Sequence, residues 1–359
     1  MNVLTPQSED FLQRYLNNFS PTGFESSGQQ LWLDYITPFV NHWESDAYGS
    51  VFGVIHPEKP FKVVIEAHAD EISWFVNYIT EEGFLHVIRN GGSDPLIAPS
   101  KQVFIHTATG TVRGVFGIPA IHTRTEPDKY QPKIENLFID IGAANKKEVT
   151  DMGIHVGCVV TFSDEMTVLN DRWYVGRALD NRMGGFCIAE VVRLLHEQAV
   201  DLPYALYVVN SVQEEVGLRG AEMIAQTIKP NLAIVTDVTH DTSTPHMNAK
   251  LLGDVKAGKG PSITYAPAVH YKLLDLVVEA ANQHEIPFQR EASSRRTGTD
   301  TDAFAYSNGG VPSVLISLPL RYMHTTVEMA HKEDVSNVIR LIFETLKLIT
   351  PEKTKFKYL

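Results

Sequence analysis

Apolar runs of strand length alternate with amphipathic stretches of helical period through most of this chain, and that alternation constrains its fold more than any other feature. Residues 62–66, 206–212, 232–237 and 312–317 are apolar runs. Residues 8–18, 25–40, 181–198, 217–228, 273–284 and 332–349 carry apolar side chains at helical spacing, such as Phe186, Ile188, Val191, Val192 and Leu195. Strands alternating with helices predict an α/β fold with a mostly parallel sheet and helices on both faces. Residues 72–167 read differently. Runs at 84–88, 103–105, 111–116 and 158–162 are β-rich and punctuated by glycine and proline, and helical periodicity is weak until 146–152. This predicts a small β-barrel-like domain at 72–167, inserted into a discontinuous catalytic α/β domain of 1–71 and 168–359.

With 359 residues, two domains can each bury a core. Hydrophobic residues at 43% and charged residues at 21% argue against wholesale disorder. The net charge of −12 argues against nucleic-acid binding, which needs clustered Lys and Arg. Cys158 and Cys187 are the only cysteines, so neither a disulfide framework nor a CxxC zinc site is available. Any metal must be held by His, Asp and Glu. No basic segment followed by an apolar stretch opens the chain, and no apolar run is long enough to span a bilayer. The expectation is a cytoplasmic protein with no signal peptide and no membrane partner.

Five acid- or histidine-bearing spots fall at the ends of these elements. They are Glu66-Ala67-His68-Ala69-Asp70-Glu71, Gly176-Arg177-Ala178-Leu179-Asp180-Asn181-Arg182, Gln213-Glu214-Glu215-Val216-Gly217, Thr236-Asp237-Val238-Thr239 and Tyr322-Met323-His324-Thr325-Thr326. Ligands of an open α/β sheet bind beyond the carboxyl ends of its strands, where all five would converge. Taken singly, each has an ordinary structural reading. Asp180 suits a helix N-cap, and Glu214-Glu215 a helix dipole. Taken together, they suit a two-metal site. Imidazoles and carboxylates bind zinc-like ions, and one carboxylate can bridge two of them. Five ligands fit that count: His68, Asp180, Glu215, Asp237 and His324. Glu214 is left to move a proton. Asp70 is placed to accept the second ring N–H of His68.

At these residues the sequence resembles the tetrahedral (TET-type) metallo-aminopeptidases, cocatalytic-zinc exopeptidases some of whose relatives carry a glucanase name. The resemblance rests on His-Ala-Asp-Glu-Ile at 68, Gly-Arg-Ala-Leu-Asp-Asn-Arg at 176, Gln-Glu-Glu-Val-Gly at 213, Thr-Asp-Val at 236 and His-Thr-Thr-Val-Glu at 324. Pro-Thr-Gly-Phe-Glu at 21, Leu-Phe-Ile-Asp-Ile-Gly-Ala at 137 and Gly-Thr-Asp at 298 add to it. Thr326 departs from the proline expected there, and Gly157-Cys158, residues 98–105 and Arg295-Arg296 also depart from the usual pattern. The resemblance implies a zinc-exopeptidase-like fold and two divalent ions, zinc or cobalt, per subunit. It implies that His68 and Asp237 hold one ion, that Glu215 and His324 hold the other, that Asp180 bridges, and that Glu214 is general base and acid. It implies peptide substrates with a free N-terminus. It also implies an inserted domain that builds homo-oligomers, dimers assembling to a dodecamer. Arg295 and Arg296 would favour an acidic first residue if they faced the site, but a surface loop is the stronger reading. The residues also leave open a related two-metal dipeptidase, carboxypeptidase or aminoacylase, or a non-catalytic assembly protein of the same fold. No Gly-x-Ser-x-Gly elbow and no Gly-x-Gly-x-x-Gly turn points to a serine hydrolase or a dinucleotide enzyme.

Overall fold

The computed structural model describes residues 3–124 and 131–356, so residues 1–2, 125–130 and 357–359 of the expected domains lie outside the described residues. The chain opens with helices α1 (Pro6–Asn17) and α2 (Ser26–Ile36) and strands β1 (His42–Ser45), β2 (Val51–Ile55) and β3 (Lys62–His68). Thr5 caps α1 by accepting the Ser8 N–H at 3.1 Å, and Pro6 supplies a pre-set first turn. The helix expected over 25–40 is shorter. It ends at Ile36, and Thr37–Phe39 tightens into a 3-10 turn around Pro38.

Six antiparallel strands follow: β4 (Ser73–Ile79), β5 (Leu85–Asn90), β6 (Gln102–Thr107), β7 (Gly110–Phe116), β8 (Phe138–Asp140) and β9 (Val159–Phe162), with α3 (Lys146–Asp151) before the last. They close as a barrel in the order β4-β5-β8-β7-β6-β9. Its own core holds Trp74, Val87, Ile105, Phe116, Ile139 and Val160. β4 was not read in the sequence, because its alternation is broken by a bulge between Val76 and Tyr78.

The rest of the chain runs β10 (Thr167–Leu169), β11 (Trp173–Gly176), α4 (Leu179–Glu197), β12 (Ala205–Ser211), α5 (Arg219–Ile228), β13 (Leu232–His240), α6 (Ala249–Leu252), β14 (Ser262–Tyr265), α7 (Tyr271–Gln283), β15 (Gln289–Ala292), α8 (Asp300–Ala305), β16 (Ser313–Arg321), β17 (Glu328–His331) and α9 (Lys332–Leu348). These strands join β1–β3 in one sheet, ordered β1-β2-β12-β3-β13-β16-β17-β11-β10, with β14 on β16 and β15 on β14. The four central strands, β12, β3, β13 and β16, are parallel. The flanking pairs are antiparallel. Val63, Val64 and Ile65 are buried in succession, as befits a strand covered on both faces.

The two faces can be told apart residue by residue. A Cβ placed on Gly184 of α4 would lie 3.0 Å from that of Ala67. Glu66, its neighbour in β3, instead shares the Ser211 hydroxyl with Asp300 of α8. Adjacent strand residues face opposite sides, so α4 and α8 cover opposite faces, and His68 lies on the side of Glu66. Because the central strands are parallel, their carboxyl ends share one edge. β13 runs past Asp237 to His240, paired with β16 up to Leu320. Asp237 therefore sits within a strand rather than at its tip.

Candidate metal centre

Except for Asp237, which lies within β13, each site residue is presented at or beside a break in regular structure. His68 is the last residue of β3. Asp180 enters α4 behind Ala178 in left-handed backbone, and its peptide bond to Asn181 is cis. Glu214 and Glu215 form a 3-10 turn after β12, between Gln213 (φ 58°) and Gly217 (φ 115°). His324 (φ 62°) follows β16. Positive φ is uncommon for residues with a Cβ and clusters at functional sites.

Two trios of ligand atoms come together. His68, Glu214 and Asp237 form one, and Asp180, Glu215 and His324 the other, each with its atoms within 4.8 Å of one another. Asp180 joins them. Its Oδ1 is 3.2 Å from His68 Nε2, and its Oδ2 is 3.3 Å from His324 Nε2. Glu215 Oε1 is 3.4 Å from the same His324 nitrogen. Glu214 Oε2 and Asp237 Oδ1 each lie 3.9 Å from His68 Nε2. All six residues that the sequence placed around one centre, five as ligands and Glu214 as base, are therefore brought together.

Asp70 also lies here, with a different set of contacts. Its Oδ1 is 3.4 Å from His68 Nδ1, beyond good hydrogen-bond length. It accepts the backbone N–H groups of Glu214 at 3.0 Å and Glu215 at 3.2 Å, and the Thr22 hydroxyl at 2.8 Å. Asp70 thus fixes the turn that carries both glutamates. Glu328 was not singled out in the sequence. Its two oxygens accept the N–H of Asp180 at 3.1 Å and of His324 at 2.7 Å, tying the bridge of the two trios to one end. It closes the His-Thr-Thr-Val-Glu segment and opens β17, and nothing local in the sequence signals that contact.

The electrostatics show excess negative charge in a buried space. Burial pushes the Glu214 carboxyl up to about 10, with Asp300, Asp237 and Glu215 adding to the shift against the pull of His68. Burial also raises Asp237 and Glu215. Burial alone would lower the His324 imidazole, but Asp180 and Glu215 push it up to about 11. Burial would raise Asp180 too, yet the two imidazoles hold it well below the carboxylate range. Carboxylates packed this way favour a cation among them.

A cavity of about 550 Å³ opens over these groups, lined also by Thr239, Glu291, Arg296 and Asp302. A neighbouring hollow of about 950 Å³ shares Gly217, Leu218, Arg296 and Asp302 with it. Of the Arg295-Arg296 pair, Arg296 lines the cavity and both are exposed. Among the described residues, no helix is long and apolar enough to cross a membrane.

Residues 49–341 match the family model of the M42 glutamyl aminopeptidases. A lysyl aminopeptidase of Pyrococcus furiosus is 32% identical over 345 residues, which span 95% of this chain and 97% of that one. The solved TET aminopeptidase of the marine sediment archaeon Thaumarchaeota archaeon SCGC AB-539-E09 superposes with a TM-score of 0.92 at 29% identity, covering 98% of this chain and 99% of that one. The TET1 peptidase of Pyrococcus horikoshii, which can assemble into a tetrahedron or a large octahedral shell, gives 0.84 at 27% identity over 94% of this chain and 98% of its own. The match across more than half the chain, together with the likeness in sequence and fold, means that this chain belongs to the M42 glutamyl aminopeptidase family and is a peptidase.

Proposed function

We propose that the chain is a two-metal aminopeptidase that hydrolyses the first peptide bond of peptides with a free N-terminus. The single observation that carries this reading is Asp180, whose two oxygens each face a different imidazole. A bridging carboxylate between two divalent ions has that disposition.

The residues fit such a pair of ions, zinc or cobalt. Two imidazoles and three carboxylates match the donors these metals take. Among the described residues, the buried Oε1 of Glu215 has no hydrogen-bond partner, as a ligand oxygen reserved for an ion would not. His68 and Asp237 would hold one ion, Glu215 and His324 the other, and Asp180 both. Bound there, divalent ions would acidify a water and polarise a carbonyl.

The chain's own residues supply the proton traffic. Glu214 takes the proton of the attacking water and returns it to the leaving nitrogen. Its side chain is 11% exposed, so it reaches the cavity while staying largely desolvated. Asp70 keeps its backbone in place. Beyond the four carboxylates that two divalent ions would balance, the cavity wall bears those of Glu291 and Asp302 against the guanidinium of Arg296. That balance favours the ammonium end of a peptide over its carboxylate end, and so an aminopeptidase over a carboxypeptidase. We further propose that residues 72–167 form an inserted assembly domain on a catalytic domain of 1–71 and 168–359. In this reading subunits build dimers and then a dodecamer, acting in the cytoplasm. The shell-forming TET1 relative supports it.

The test is metal analysis of the purified protein together with turnover of aminoacyl substrates and their N-acetylated forms. About two ions per subunit and activity confined to the free-amine forms are expected. Cleavage of the acetylated forms would refute the reading. The family name is glutamyl and the Pyrococcus furiosus relative is lysyl, so names leave the preferred first residue undecided.

A further inference from the structure

Among the described residues, Glu291 is the one acid of the cavity wall that neither trio engages and that no backbone N–H holds. Asp302, the other acid outside the trios, accepts the N–H groups of Thr297 and Gly298. Glu291 lies on β15, half-buried, and its oxygens accept only hydroxyls: Thr239 Oγ1 at 2.8 Å and Ser262 Oγ at 3.2 Å. Among the described residues, no Lys, Arg or His forms an ion pair with it. Two hydroxyls, one from β13 and one from β14, orient the carboxylate without neutralising it. A half-buried, oriented and uncompensated charge calls for an opposite charge from outside.

Its place in the register sets the range. Thr239 is two residues beyond Asp237 on β13, so their side chains share a face and are separated by about 7 Å along the strand. Glu291 is hydrogen-bonded to Thr239, so its carboxylate stands about that far from the centre. An extended lysine stem reaches about 6 Å from its Cα. The four carboxylates of the trios, Asp180, Glu214, Glu215 and Asp237, balance the charge of two divalent ions. Glu291 is left over. Arg296 lies in the loop after β15, exposed to solvent.

We propose that Glu291 is the specificity residue of the cavity and selects peptides whose first side chain is a cation, lysine or arginine. The inference rests on the aminopeptidase reading and adds the substrate class to it. Glu291 touches the substrate side chain, not the reacting atoms. Thr239 and Ser262 position it.

The test uses the full chain loaded with zinc or cobalt. It measures kcat/KM on lysyl, leucyl and glutamyl fluorogenic substrates, and binding of lysinamide, leucinamide and glutamic acid α-amide by calorimetry. Wild type is expected to prefer lysyl substrates, a result that needs no variant. Glu291→Gln is expected to lower the lysyl-to-leucyl ratio by about 10- to 100-fold, mainly through KM, with lysinamide binding weakened to match. Glu291→Lys is expected to move the preference to glutamyl substrates. A wild-type preference for leucyl or glutamyl substrates overturns the proposal. So does a Glu291→Gln ratio equal to that of wild type, the behaviour of a mere pin between strands. If no free-amine substrate is turned over, the aminopeptidase reading falls. The comparison of lysinamide binding between wild type and Glu291→Gln then still decides whether the carboxylate takes a cation.

Discussion

The barrel and the large sheet bury different kinds of side chain. Between Ser73 and Phe162, the buried polar residues among those described are Ser73, Asn90, Ser93 and Thr161, none of them charged. The sheet and its helices bury Glu66, His68, Asp70, Asp180, Arg182, Glu190, Arg193, Asp237, Asp300 and Glu328, among others. The barrel closes on itself, leaves no free edge and fills its centre with apolar rings. The sheet leaves the carboxyl ends of four parallel strands at one edge and gathers acids there. Burying charge is expensive unless it is paired, so its concentration in one half supports the proposal that the chemistry is done there.

The largest effect expected is in the acid-rich half. Glu214→Gln should lower kcat by about 10²- to 10⁴-fold while metal content stays at the wild-type level. Metal analysis beside steady-state kinetics checks it, and near-normal turnover would remove Glu214 from the mechanism. Next comes the barrel. Trp74 is fully buried against Phe116 and Phe162, so Trp74→Ala should destabilise by about 3–5 kcal/mol in chemical denaturation. The kcat of the folded fraction should hold. A matching drop in kcat would break the separation of the two halves.

Several contacts cross between them, and one meets the His324 ring. A Cβ added to Gly92, in the loop after β5, would lie 2.6 Å from Nδ1 and Cε1 of the His324 ring. Gly92→Ala should cost about 1–3 kcal/mol, read largely as metal affinity about 10- to 100-fold weaker in a chelator titration. An unchanged affinity with a lowered Tm would show that the barrel rests on the site without positioning it. The smallest effect concerns a buried charge away from the centre. Burial would raise the Asp241 carboxyl, but Ser243 and the Arg321 guanidinium, 2.6 Å away, hold it below the usual range. A carboxyl depressed in the folded state adds stability above the unfolded value of about 4, and that stability is lost as pH falls through the folded value. The Tm gap between wild type and Arg321→Gln should therefore be full at neutral pH and close as pH falls below about 4.

Much of this was legible before the fold was known. The runs at 62–66, 206–212 and 232–237 lie within β3, β12 and β13 to within a residue or two, because apolar length and flanking breaks are local properties. The strands β10, β11, β15 and β17 were not legible. They are three or four residues long, too short to show a period, and form because a neighbour offers its edge. The six residues His68, Asp180, Glu214, Glu215, Asp237 and His324 were legible as a set through positions expected at element ends, although β13 runs on past Asp237. Asp70 was legible as a member but not in what it holds. Its contacts to the backbone of Glu214 and Glu215 span 144 and 145 residues of chain.

The sequence alone determined which residue types are available for chemistry and that they fall at breaks in apolar runs, since hydrophobic period and side-chain identity are properties of the chain itself. Only the tertiary structure decided that Asp180 faces both imidazoles, that Glu328 anchors Asp180 and His324, and that Glu291 is held toward the same cavity by Thr239 and Ser262. Those relations depend on strand register and helix placement, which arise from packing between segments far apart in the chain and leave no trace in any local pattern.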